Sequence, residues 1–143
     1  RVDGLGRVTE VGMLLRANNG EITRTLVSGR VMYGETLRDA LFRHLEKDLG
    51  PMALPRLAPS PQPFTVVEYF PSPDVTGFHD PRQHAVSLAF VVLMGGDCAP
   101  SSDALDLAWV SPQEAVSLEF EAETSGGQGR LIRLALAHCG VLP

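Results

Sequence analysis

Residues 29–50 read GRVMYGETLRDALFRHLEKDLG, and this stretch says more about the fold than any other part of the chain. Thr36 has the side chain of a helix N-cap, and Gly50 followed by Pro51 is a typical helix stop. Between them, leucines recur at the spacing of a helix that packs one face on a core. The stretch therefore predicts a loop followed by a helix over residues 36–49.

Three polar side chains of this helix bear on its chemistry. At about 100° per residue, His44 and Asp48 point into the apolar stripe, and Lys47 lies on its margin. A carboxylate within such a stripe costs free energy unless something pairs with it. Asp48 is therefore expected either to pair with Lys47, His44 or a loop residue, or to face a cleft.

The rest of the chain predicts strands separated by turns and loops rich in proline. Strands are expected at residues 8–16, 21–28, 64–70, 85–94 and 105–110, the first two forming a hairpin, and helices at 111–115 and 129–139. The apolar run 85–94 predicts a central strand buried on both faces. In the last helix, Leu131, Ile132, Leu134 and Leu136 are expected to pack inward. This order predicts an α/β (α+β) sandwich, with one mixed β-sheet between helices, in a single domain over residues 1–143.

Composition and charge narrow the functional classes. The chain has 143 residues and a formal net charge of -5, which argues against a general nucleic-acid backbone binder. The longest apolar run, residues 85–94, is about half of what a membrane-spanning helix needs. Cys98 and Cys139 form no disulfide framework, the histidines show no zinc spacing, and no signal-peptide pattern opens the chain. These features predict a cytoplasmic protein that binds neither membranes nor nucleic acid.

The stretch 29–50 also resembles the Nudix box, the loop–helix motif of pyrophosphate hydrolases. That motif runs Gly, five residues, Glu, seven residues, then Arg-Glu-aliphatic-any-Glu-Glu-any-Gly-aliphatic. Gly29, Glu35, Arg43, Leu45 and Gly50 match it in register. Outside the box, the segments HDPRQHAVSLAFVVL and AWVSPQEA resemble later elements of the same family. The resemblance implies the Nudix fold, with a layout like that of ADP-ribose pyrophosphatases.

The positions at which family members hold Mg²⁺ are altered. The three metal-binding Glu positions carry His44, Lys47 and Asp48, so the facing charge is about zero instead of about -3. Imidazole and ammonium suit Mg²⁺ poorly, because it prefers oxygen ligands in octahedral geometry. Asp48, with His44 beside it, is the predicted remnant of the metal site, and the Mg²⁺ site is expected to be weak or absent.

Other residues are candidates for binding a substrate. Lys47 could place its ammonium on a diphosphate, and Asp80 and Arg82 could clamp a ribose or phosphate or form a salt bridge with each other. Glu35 and Arg43 most resemble a structural pair that braces the loop against the helix, without a catalytic role. Further carboxylates in two loops could complete a metal site or remain solvated: Asp97, Asp103, Asp106, Glu119, Glu121 and Glu123.

Three functional hypotheses follow from these residues. The first is a divergent Nudix hydrolase acting on a nucleoside-diphosphate-linked compound such as ADP-ribose, with activity in doubt because of His44 and Lys47. The second is a non-catalytic module that binds a nucleotide or sugar nucleotide. The third is a structural interaction domain, and a homodimer is compatible with all three. Fold alone does not choose among them.

Overall fold

The computed structural model describes residues 1–18, 20–101 and 103–142. Seven strands and four helices follow one another along this part of the chain. The strands are β1 (Val11–Asn18), β2 (Glu21–Thr25), β3 (Pro55–Arg56), β4 (Thr65–Tyr69), β5 (Ala85–Ala89), β6 (Leu93–Met94) and β7 (Asp106–Val110). The helices are α1 (Leu37–Leu49), α2 (Pro112–Ala115), α3 (Leu118–Ala122) and α4 (Gln128–His138).

Strands β2, β1 and β7 form an antiparallel sheet in that order. The predicted hairpin is confirmed, with Leu14 opposite Thr25 and Asn18 opposite Glu21 in the register of β1 and β2. Asn19, in the predicted turn, lies outside the described residues. Strand β7 covers the other edge of β1, with Val11 opposite Val110. Strand β1 is therefore the middle strand of this sheet.

Helices pack on both faces of this sheet, because successive side chains of β1 point in opposite directions. Leu14 belongs to a core cluster with Leu45 and Leu49 of α1, whereas Met13 belongs to a second cluster with Phe120 of α3 and Ile132 of α4. Met13 and Leu14 are each only 1% exposed. The expected layering, a sheet between helices in an α+β chain, is confirmed.

Helix α1 has the predicted bounds and caps. The Thr36 hydroxyl accepts a hydrogen bond from the backbone N–H of Asp39, and the Gly50 N–H donates to the carbonyl of Glu46. Gly50 has a φ of 88°, a conformation that glycine adopts without strain, so its position explains why the helix ends there. The predicted caps Ser111 and Pro112 likewise open α2.

The prediction of one central strand over residues 85–94 is wrong. This stretch divides into β5, which pairs with β4, and β6, which pairs with β3, in two separate two-stranded sheets. Along β5 burial alternates, with Val86 65% and Leu88 42% exposed while Ala89 is buried. An apolar run shows that a strand is favourable, but not whether a second layer covers its outer face. The single mixed sheet is accordingly replaced by three small antiparallel sheets, with parallel bridges at Arg24–Thr124 and Phe70–His79.

The terminal helix α4 was predicted correctly except for one side chain. Leu131, Ile132 and Leu136 are buried, but Leu134 is 42% exposed and therefore lies outside the core. The acidic segment before α4 also contains a helical turn that the sequence pattern did not indicate, α3. None of the helices in the described part of the chain has the length and apolar character required to cross a membrane.

Candidate functional site

The loop that precedes α1 is fastened to the helix by an ion pair. The Glu35 carboxylate accepts hydrogen bonds from Arg43 Nε at 2.7 Å and from Arg43 Nη2 at 2.9 Å. It also accepts the Met32 N–H at 2.9 Å, and Arg43 Nη2 donates to the Arg30 carbonyl at 2.9 Å. The Arg43 guanidinium is the main reason that the pKa of Glu35 falls from its usual 4.5 to about 2. The structure thus pairs these two residues as expected, and every partner of the carboxylate belongs to the loop or to the helix it braces.

His44 closes the same loop from beneath. Its Nε2 lies 2.8 Å from the Arg30 carbonyl oxygen, which can only accept, so this hydrogen bond forms in the state in which Nε2 carries a hydrogen; Arg43 Nη2 lies farther from the same nitrogen, at 3.4 Å. The ring packs so closely on Gly29 that a Cβ at that position would overlap His44 Cε1. Glycine at position 29 therefore leaves room for this imidazole. In this geometry the Nε2 atom is not available to bind a metal.

Asp48 points inward as predicted, and its partner is a residue that the sequence analysis missed. Asp48 is 6% exposed, and Arg16 Nη2, from β1, lies 3.5 Å from its Oδ1. The expected partners were Lys47, His44 or a loop residue, and none of them forms this ion pair. The sequence offered one signal for this partner, because Arg16 is a cation at the end of an apolar strand. Only the packing of α1 on β1, however, brings Arg16 next to Asp48.

The segment after β6 completes the surroundings of Asp48. The backbone N–H of Ser101 donates to the Asp48 carbonyl at 3.2 Å, and Arg16 Nη1 donates to the Asp103 carbonyl at 3.3 Å. This segment contributes main-chain groups to the site, whereas its carboxylates had been considered as metal ligands. Within the residues that the structure describes, no three His, Cys, Asp or Glu side chains come close enough together to hold a metal ion.

Lys47 lies on the exposed face of α1. It is exposed, and it is the only lysine of the chain. It lines an open groove of about 590 Å³ on this face, together with Arg38, Asp39, Phe42, Arg43, Glu46 and Pro51. The groove thus combines three cationic side chains, two carboxylates and one aromatic side chain, Phe42, that is 45% exposed.

Asp80 and Arg82 form a pair of their own in the loop between β4 and β5. Arg82 donates from Nε to Asp80 Oδ1 at 3.0 Å and from Nη2 to Asp80 Oδ2 at 2.9 Å, and Gln83 adds a bond to the same carboxylate. The Arg82 guanidinium is the main cause of the lowered pKa of Asp80. These hydrogen bonds stay within the loop, so the structure does not join this pair to the helix α1 residues. Of the two expectations for it, the salt bridge is the one observed.

Three of the six other loop carboxylates considered above have structural contacts. Glu123 pairs with Arg24 at 2.8 Å, and Glu121 lies 3.6 Å from Arg133. Asp106 accepts the N–H of Leu107. These contacts give the three carboxylates a structural role that requires no metal.

The Mg²⁺ that the family resemblance implies does not fit the residues present. Magnesium requires several oxygen ligands and usually retains waters. At the three box positions the structure places an imidazole that donates its Nε2 hydrogen, an exposed ammonium, and a carboxylate already opposite a guanidinium. A single paired carboxylate is a poor replacement for three free ones.

Comparison with known proteins places the chain in a family. The model of a family described as a domain of unknown function, DUF4916, matches residues 1–141. A crystal structure from Jonesia denitrificans, of possible asymmetric diadenosine tetraphosphate (Ap4A) hydrolases, is 58% identical with a TM-score of 0.95, and the match covers 100% of this chain and 91% of that one.

A crystal structure of a Nudix-family hydrolase from Clostridium perfringens shares the fold at 11% identity, with a TM-score of 0.64 and coverage of 94% of this chain and 91% of that one. No curated protein matches the chain. The chain is a member of the DUF4916 family, and it has the Nudix fold that the sequence analysis predicted.

Proposed function

We propose that this chain is a divergent Nudix-type phosphohydrolase whose substrate contains a nucleoside diphosphate group. The observation that carries the proposal is the 58% identity, over the whole chain, to a protein described as a possible Ap4A hydrolase. Ap4A and ADP-ribose, the analogue suggested by the sequence, both contain adenosine followed by two phosphates. This common group defines the proposed substrate class more closely than either compound alone.

The outer face of α1 supplies the side chains for binding such a substrate. Lys47 and Arg38 can each place a positive charge on a phosphate, and Phe42 lies in the same groove with a ring face for a base. Lysine acts here as a point charge that binds phosphate without activating water. Hydrolysis forms a bond between a water oxygen and one phosphorus and breaks the bond from that phosphorus to the bridging oxygen. Because no carboxylate set for this step is assembled among the described residues, turnover is expected to be slow.

The second candidate is a nucleotide-binding module without turnover. The observation that favours it is the Arg16–Asp48 ion pair, which neutralises the one carboxylate left at the metal positions of the box. The binding groove and the ligand class are the same for both candidates, so only the chemical step separates them.

A single lysine makes the binding step directly measurable. Reductive methylation with ¹³C-formaldehyde labels Lys47 as the only side-chain amine, and its NMR signal is distinct from that of the terminal amine. Addition of Ap4A or ADP-ribose is expected to shift this signal and to raise the melting temperature; ligand at a hundred times its dissociation constant adds about 2.7 kcal/mol. The variant Lys47→Ala should lose most of the melting shift, whereas Arg7→Ala, at an exposed arginine paired with Asp3, should keep it.

Turnover is measured on the same samples by chromatography of the products, with MgCl₂ and with EDTA. Slow release of mononucleotides by the native chain supports the hydrolase, and ligand-induced shifts without products support the binding module. If neither compound shifts the signal or the melting temperature, both candidates are wrong and the interaction-domain hypothesis is favoured.

Three further expectations stay predictions: a cytoplasmic location, a single domain over residues 1–143 and a homodimer.

A further inference from the structure

We propose that the positive charge of the Arg16 guanidinium replaces the divalent cation that lies beside a box with three carboxylates. Helix α1 by itself therefore binds no divalent cation. The inference goes beyond the proposed function, because it concerns cation binding without substrate. It stands whether or not the chain hydrolyses a nucleotide.

The position of Asp48 requires a positive charge nearby. Asp48 lies in the last turn of α1, where the aligned peptide dipoles make the end of the helix negative, and a carboxylate is unfavourable there. It is also almost fully buried, at 6% exposure, which adds the cost of removing a charge from water. Arg16 Nη2, at 3.5 Å, supplies the compensating charge.

The guanidinium contacts two segments of the chain outside its own strand, helix α1 through Asp48 and the segment after β6 through Asp103. Arg16 belongs to β1, where it is opposite Thr23 in the sheet register. Its Nη1 donates to the Asp103 carbonyl, and the same segment donates the Ser101 N–H to the Asp48 carbonyl. The Arg16 side chain is 29% exposed, so it is not free to swing into solvent without losing these contacts.

The other two box positions add no negative charge that could attract a metal. Lys47 is a cation, and His44 donates Nε2–H to the Arg30 carbonyl. Of the three box positions, only Asp48 therefore carries a negative charge, and the Arg16 guanidinium already lies 3.5 Å from its Oδ1. A divalent cation would have to displace Arg16 to reach this oxygen ligand.

The test uses MnCl₂ alone as the probe, because bound Mn²⁺ loses its sharp electron paramagnetic resonance signal. The native chain is expected to leave the free Mn²⁺ signal unchanged at millimolar concentrations. Arg16→Met keeps the length of the side chain and removes its charge, and it should bind Mn²⁺ at least tenfold more tightly than the native chain. Mn²⁺ should also raise its melting temperature by about 3 °C or more.

Two variants serve as controls. Arg16→Lys retains a cation at the same position and should, like the native chain, bind no Mn²⁺. Arg7→Met removes the same charge from a side chain that is 73% exposed, so it reports the effect of net charge alone and should leave Mn²⁺ binding unchanged.

The outcomes decide the proposal in either direction. Binding of Mn²⁺ by the native chain that disappears in Asp48→Asn would overturn it. A folded Arg16→Met variant that gains no Mn²⁺ affinity would also overturn it, since the ion pair would then be an ordinary brace. If Arg16→Met fails to fold, Arg16→Gln, which is neutral and can still donate to the Asp103 carbonyl, takes its place in the same measurement with the same two outcomes.

Discussion

The two parts of the box segment differ in whether their side chains make the contacts that the motif predicts. In residues 29–43 the side chains that match the motif make the contacts expected of them, with Glu35 and Arg43 bonded twice at 2.7 and 2.9 Å. In residues 44–50 the side chains at two metal positions contact other residues instead, Asp48 contacting Arg16 and His44 contacting Arg30. The loop and the helix are therefore held together without a metal, because the Glu35–Arg43 ion pair and the contact of His44 with the Arg30 carbonyl join them.

The two parts also differ in how deeply their ion pairs are buried, which determines how much each pair matters for stability. The Arg43 side chain is 41% exposed, so water and salt screen its attraction to Glu35, and pairs of this kind contribute little stability. Asp48 is buried, and loss of its partner leaves a charge that water cannot reach. Substitutions should consequently be far more damaging in the second part than in the first.

The largest effect is expected from Asp48→Ala. It leaves the Arg16 guanidinium partly buried and unpaired, which should lower the free energy of unfolding by about 3 kcal/mol. Urea unfolding followed by circular dichroism measures the change. The matched control is Glu46→Ala, at an exposed acid of the same helix, which should change stability by no more than about 0.5 kcal/mol. Equal losses for the two variants would show that burial does not distinguish the two parts.

Gly29→Ala should come next, because it joins the two parts sterically. The added methyl group would overlap His44 Cε1, so the ring must move and lose its 2.8 Å hydrogen bond to Arg30. A loss of about 2 kcal/mol is expected. In the His44→Ala background the same glycine substitution should cost much less, and a double-mutant cycle measures this coupling. Additive losses would contradict the contact.

A smaller effect is expected from Thr36→Ala in the first part. The Thr36 hydroxyl accepts the Asp39 N–H at 3.1 Å, and loss of such a cap costs about 1 kcal/mol. Thr36→Ser keeps the hydroxyl and should retain most of the stability. Thermal unfolding of the two variants, compared with the native chain, tests whether the cap or merely the size of the side chain matters.

The pH dependence of the Glu35–Arg43 pair should have the smallest effect on stability. The pKa of Glu35 is depressed from 4.5 to about 2, so the pair contributes fully above pH 4.5, and its contribution is lost as pH falls toward about 2. A ¹³C NMR titration of the carboxyl group should give a midpoint near 2. In Arg43→Met the midpoint should return toward 4.5. A native midpoint near 4.5 would show that the brace is absent in solution.

Local sequence signals predicted the elements of the fold well where they act over a few residues. The caps Thr36 and Ser111 and the stop at Gly50 bounded their helices correctly, because a cap satisfies backbone groups within three residues of itself. The inward direction of Asp48 also followed from helical periodicity alone. The division of residues 85–94 did not, because it depends on which strands lie beside each half, and those strands are far away in sequence.

The sequence by itself determined the box segment: its helix, the spacing of Glu35 and Arg43, and the replacement of two metal carboxylates by His44 and Lys47. Only the tertiary structure decided what Asp48 does, because its partner, Arg16, lies 32 positions earlier in the chain. The two meet only when α1 packs on β1 through Leu14, Leu45 and Leu49. Periodicity specifies which way a side chain points, whereas the packing of distant elements supplies the charge that it meets.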